Sequence, residues 1–179
     1  RKRNAAATTL LRALGLDQDE KIIKIFQDVD IDPEIKYIQE TIKRDQTKSQ
    51  SEALVEIYQH LRPGDLATPE TARELIENMF LNFERYDLSK VGRWRTWQRL
   101  PELKLKIKPG KSQAKTRNPE EEIRVSDRVL KLEDVIAVLR EIIRLNNNPQ
   151  AKPDQIDHLG NRRVRTLNEL LLNRLRVGL

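Results

Sequence analysis

The chain has 179 residues, 37% of them hydrophobic and 35% charged, with 34 Lys and Arg against 28 Asp and Glu for a net charge of +6. That composition fits one domain with a thin core and large solvated faces, and it lies above the disordered class. The absence of cysteine excludes disulfides and thiolate metal sites, and the apolar runs, only a few residues each, fall far short of a membrane span.

Taken in chain order, most of the sequence reads as short helices with start signals. Asp17 and Glu20 have D-x-x-E spacing ahead of Ile22, Ile23, Ile25 and Phe26. Asp32-Pro33 predicts an N-cap with proline at the first helical position, followed by Ile35, Ile38 and Ile42 at helical spacing. Leu54, Ile57, Tyr58 and Leu61 form the next stripe, closed by the turn tetrapeptide Arg62-Pro63-Gly64-Asp65. Thr68-Pro69 caps a helix whose expected buried side is Leu75, Ile76, Met79, Phe80 and Phe83. Residues 101–131 differ: Pro101, Pro109, Gly110 and Pro119 break helices, and LKLKIK alternates like a short strand. A small β component is therefore expected near 103–107 and 123–131. Leu132 to Leu145 is the longest periodic segment, with Val135, Val138, Leu139, Ile142 and Ile143 on its apolar face and Asn146-Asn147-Asn148-Pro149 ending it. The expected class is mainly α with a small β component (α+β), one domain over 1–179 carrying a variable basic segment at 101–131.

Charge is distributed unevenly. Between Glu84 and Arg117 eleven Lys and Arg meet only Glu84, Asp87 and Glu102. Solvated surfaces usually mix signs, so a one-sign segment more often faces a polyanion. Within it Trp94 and Trp97 stand among arginines, where they either stack bases or, more commonly, pack into a helical core.

No catalytic constellation is present. His60 and His158 are the only histidines, too few for a zinc site without cysteine. Asp154 and Asp157 do not make the carboxylate cluster that holds catalytic Mg²⁺, and no phosphate loop, dinucleotide fingerprint or nucleophile elbow occurs.

The stretch 157–165, DHLGNRRVR, is the richest in chemistry. It sets Asp157, His158, Arg162, Arg163 and Arg165 around a Gly-Asn turn, and Thr166 and Glu169 have capping-box spacing at the head of a following helix. Arginine forks suit phosphates and base edges. A carboxylate beside them adds nothing for phosphate but accepts the two N–H donors of an unpaired guanine. The competing reading is an Asp–Arg ion-pair network that pins the loop.

DHLGNRRVR with its helix ending in RVGL resembles the stretch closing the second, or lobe, domain of the bacterial RNA polymerase β subunit. Three further blocks follow that family's order: Ala7-Thr8 with Leu11-Arg12-Ala13-Leu14, then LRPGDLATPETARELIENMF at 61–80, then ERYDLSKVGR at 84–93. Together they span almost the whole chain, while 101–131 varies in that family. Arg at position 1 and an end inside a helical pattern fit an excised lobe.

The resemblance implies a non-catalytic wall of the DNA channel that contacts downstream duplex and the non-template strand. In the family the Asp and first Arg of DHLGNRR line a pocket for an unpaired non-template guanine; here these are Asp157 and Arg162. Arg62 and Arg85 fall on positions that approach the non-template backbone, although helix-end capping accounts equally well for Arg62. For Arg163 and Arg165 phosphate contact and internal ion pairing both stand. The resemblance also implies partners (other polymerase subunits, sigma factor, transcription regulators), a cytoplasmic, nucleoid-associated location, and no cofactor of the lobe's own. Nucleotidyl transfer and its Mg²⁺ would belong to the intact polymerase, the metal bound by another subunit. The rival reading is a protein-docking platform for acidic transcription factors or phage regulators.

Overall fold

A computed structural model describes residues 4–32, 34–106, 123–152, 155, 157–162 and 165–178. The chain divides into two compact units, Arg1–Asn148 and Pro149–Leu179.

In the first unit the helices are α1 (Ala7–Ala13), α2 (Asp19–Phe26), α3 (Tyr37–Arg44), α4 (Gln50–Leu61), α5 (Pro69–Ile76), α6 (Ser89–Arg99), α7 (Pro101–Lys106) and α8 (Leu132–Asn146). They enclose three small cores instead of one. Leu11, Ile22, Phe26, Val29, Ile38 and Ile143 join α1, α2, α3 and α8. Ala13, Ala53, Leu54, Tyr58, Ala72 and Ile76 join α1, α4 and α5. Trp97, Leu100, Leu103, Ile123 and Ala137 join α6, α7 and α8. Helices α1 and α8 each serve two cores, which is how a lean apolar content holds eight short helices together.

Several starts follow local chemistry. Ser49 Oγ accepts from Glu52 N–H at the head of α4, and Thr68 with Thr71 closes a capping box before Pro69 at the first turn of α5. The RPGD turn places Gly64 at φ +99°, a conformation that suits glycine.

Other expectations need correction. α2 begins at Asp19 after Gln18 with no side-chain capping bond, so Asp17 and Glu20 do not act as a box. α3 begins at Tyr37, not after Asp32; Asp32 Oδ1 instead accepts from Glu34 and Ile35 N–H in a local turn. The cap of α3 is the buried Asp30, whose two oxygens accept from Tyr37 and Ile38 N–H, each at 3.0 Å. Past Ile76 the chain opens into a π-turn, Glu77–Leu81, which shifts the helical phase and leaves Met79 and Phe83 over a third exposed. Val138 and Ile142 are likewise exposed on α8.

No strand forms among the described residues. Residues 103–106 belong to α7, and 125–127 form a 3₁₀ turn; residue 107 lies outside the described residues. The LKLKIK alternation is overridden because Leu103 packs with Trp97, Leu100, Ile123 and Ala137, and one helical turn after Pro101 delivers it there. Both tryptophans are packing residues: Trp97 is buried in this core and Trp94 lies against it.

The second unit contains a 3₁₀ turn, Leu159–Asn161, and α9, Leu167–Gly178. Thr166 Oγ1 accepts from Glu169 N–H at 3.4 Å, the bond expected for its start. Leu167, Leu170, Leu171, Leu172 and Leu175 are all exposed.

Candidate nucleic-acid interface

The arginines of the sequence blocks separate into two populations. Arg12 is 3% exposed on α1. It donates to the Thr47 carbonyl and to Asp19 Oδ1, and its Nε lies 3.5 Å from Asp45 Oδ2. Thr8 and Thr9 hydroxyls donate to the same Asp45 carboxylate at 2.6 and 3.1 Å. The Ala7–Leu14 block is thus a polar pillar tying α1 to the segment after α3. Burial alone would raise the Asp45 carboxyl, but bonds from Thr47, Thr8 and Thr9 outweigh it and hold the group below its ordinary value.

Arg93 is the second pillar, 2% exposed. Its fork meets both oxygens of Asp134 at 2.6 and 2.9 Å, its Nη2 also donates to the Val129 carbonyl at 2.7 Å, and its Nε donates to the Asp127 carbonyl. This cation is therefore removed from the basic segment 84–117 as a phosphate contact. Gly92 beside it is also constrained, since a Cβ there would lie 3.0 Å from Leu88 Cγ.

Arg62, Arg73, Arg85, Arg162 and Arg165 form the second population, all exposed. Arg62 ends α4, and its N–H donates to the Tyr58 carbonyl. Arg85 follows a turn in which its N–H donates to the Asn82 carbonyl. Arg163 lies outside the described residues, as do Lys108, Lys111, Lys115 and Arg117.

In the 157–162 loop, His158 Nδ1 accepts from Gly160 N–H at 3.1 Å and Arg162 N–H donates to the Leu159 carbonyl. A Cβ at Gly160 would sit 3.1 Å from that same Nδ1, a contact that would press the imidazole slightly aside. Asp157 Oδ1 and Arg162 Nη1 are 3.9 Å apart, with side chains 89% and 63% exposed. A pair that long and that solvated contributes little to holding a loop. Both groups keep most of their hydrogen-bonding capacity for a ligand.

The first 114 residues match the family model described as RNA polymerase Rpb2, domain 2. The chain belongs to this family. Two strains of Dehalococcoides mccartyi carry a protein named DNA-directed RNA polymerase subunit beta that is 43% identical over 179 residues, 99% of this chain and 13% of theirs. The protein of that name from Chloroflexus aggregans is 40% identical over 199 residues, covering 100% of this chain and 15% of its own length. The chain thus spans only 13–15% of the length of the curated relatives it matches.

Within this Rpb2 domain 2 chain, the described residues contain no group of three or more His, Asp or Glu placed to hold a metal ion. They include no helix long and apolar enough to cross a membrane. A cavity of about 1030 Å³ beside α3 and α4 is lined by groups of both signs, including Arg44, Asp45, Glu52, Glu56 and His60. His60 Nδ1 lies 3.0 Å from the Glu56 carbonyl of its own helix, which spends that nitrogen within α4.

Proposed function

We propose that the chain is the non-catalytic lobe of a bacterial RNA polymerase β subunit, forming a wall of the DNA channel and contacting downstream DNA and the displaced non-template strand. Asp157 and Arg162 hold an unpaired guanine, the carboxylate on its N–H edge and the guanidinium on its carbonyl face or phosphate. Arg62 and Arg85 approach the strand's backbone, with Arg163 and Arg165 as further candidates. The lobe works with the other polymerase subunits and sigma factor in the cytoplasm, at the nucleoid, and holds no cofactor of its own.

What carries the reading is the contrast in burial among block arginines. Arg12 and Arg93 are consumed by internal partners, whereas Asp157 and Arg162 stand exposed and 3.9 Å apart. The test is Asp157→Ala in the assembled polymerase, comparing affinity for bubbles that carry each of the four bases at successive non-template positions. Loss of a guanine preference by about fivefold or more at one position is expected, with the other bases barely changed. Arg162→Ala should weaken every sequence, because its charge also serves phosphate. Equal losses for all four bases together with a lowered melting temperature would return Asp157 to a loop-holding role and sink the assignment.

A further inference from the structure

Phe83 carries a feature that the helical pattern does not anticipate. It lies in a turn fixed by Asn82, whose Oδ1 accepts from Glu84 N–H and whose carbonyl accepts from Arg85 and Tyr86 N–H. The Arg128 guanidinium sits 5.0 Å from the ring centroid, and Asp87 clamps that guanidinium with both carboxylate oxygens. Behind the turn Phe80 and Tyr86 meet edge to face, with centroids 6.2 Å apart. The ring is thus held by Arg128, and the residue as a whole stays 39% exposed. Next to the clamp, Val125 is 56% exposed and its carbonyl accepts from Arg128 N–H.

The charges around this ring favour an anion. Arg85 and Arg124 are exposed, Asp87 is engaged with Arg128, and Glu77 and Glu84 are the exposed carboxylates on the same stretch of chain. A rigid aromatic face within two residues of an exposed guanidinium matches the two halves of a single-stranded nucleotide: a flat base and a phosphate. Pre-ordering by Arg128 means that little ring freedom is lost when a base stacks. An acidic peptide would use the cations but has no equivalent need for the flat ring.

We propose that Phe83 is a stacking platform for an unpaired DNA base, with Arg85 as the partner for the adjoining phosphate. This rests on the DNA-facing role argued above and extends it to a contact that any base can occupy, unlike the guanine-reading Asp157. The experiment is fluorescence anisotropy of the 179-residue chain with two labelled probes, an oligothymidylate and an abasic oligomer of equal length. Phe83→Leu should weaken the oligothymidylate by about fivefold or more and leave the abasic probe unchanged. Phe83→Tyr should bind as the parent does, and Arg85→Glu should weaken both probes. Oligothymidylate binding that ignores Phe83→Leu, or equal losses on both probes, overturns the platform while leaving the DNA-facing role intact. A parent chain that binds neither probe overturns the platform, while the DNA-facing role stands or falls with the bubble assay on the assembled polymerase. Phe83-dependent binding of polyglutamate without binding of DNA would give the surface to an acidic protein and overturn the proposal.

Discussion

Replacing Arg93 by Ala tests whether the second pillar holds the α6–α8 half of the first unit together. Arg93 is 2% exposed and Asp134 4%, so water cannot compensate either one when the other is cut away. Arg93→Ala would strip the Asp134 carboxylate of both guanidinium bonds, leaving it the Lys131 N–H, and would remove the donors to the Asp127 and Val129 carbonyls. Removing one partner of a buried pair costs about 3–5 kcal/mol. For a chain of this size that corresponds to a fall in Tm of roughly 10 °C. Urea unfolding followed by far-ultraviolet circular dichroism gives the free energy, and an unchanged m-value confirms that compactness is retained. Asp134→Ala should be similarly costly, and the double variant should lose clearly less than the two single losses added together, because no unpaired charge then stays buried. Additive losses, or a single-variant loss below about 1 kcal/mol, would refute the claim that the fork is a buried, mutually dependent pair.

Other expectations separate structure from binding. Arg62→Ala and Arg85→Ala, both exposed, should change stability by no more than about 0.5 kcal/mol while lowering affinity for single-stranded DNA, read by melting and by anisotropy on the same samples. Asp45 is held below its ordinary value of 3.8, as are Asp28 through its bond from Arg140 and Glu102 (ordinary value 4.5) through its bond from Arg144. Depressed carboxyls contribute stability above their unfolded values and lose it as pH falls through the folded ones, so acid unfolding should set in below those ordinary values. Asp45→Asn should lower stability at neutral pH and flatten that acid limb in a pH series of urea melts. Gly64→Ala should cost about 1 kcal/mol; since nothing lies within 4 Å of the new Cβ, any loss there reports backbone conformation alone.

Helix identity was legible where the signal is local. Thr68-Pro69, the apolar stripe after Ser49 and the long run from Leu132 gave α5, α4 and α8 because caps and periodicity act within one or two turns. The start of α3 was not legible, since its cap comes from Asp30, seven and eight residues upstream of the N–H groups it binds, while Asp32-Pro33 imitates a cap. Counting charge between Glu84 and Arg117 overstated the surface field for a similar reason: the partner that buries Arg93 lies 41 residues on. The exposure of Met79 and Phe83 depends on a π-turn that no simple period encodes. In the candidate interface, residue types pointed to Asp157 and Arg162, but only the geometry shows their mutual pairing to be long and solvated.

The anchoring around residues 106 and 123 makes that junction a natural place to graft cargo. On one side Glu102 of α7 pairs with Arg140 and Arg144 of α8, and Leu103 is buried; on the other Ile123 is buried, with Arg93 gripping the carbonyls of Asp127 and Val129 just beyond. Both stumps are fastened to the helical body whatever runs between them. Lengthening a connection between fixed ends is entropically cheap, about 0.6 kcal/mol for each doubling. A reporter peptide or small domain spliced between them should therefore leave the three cores folded.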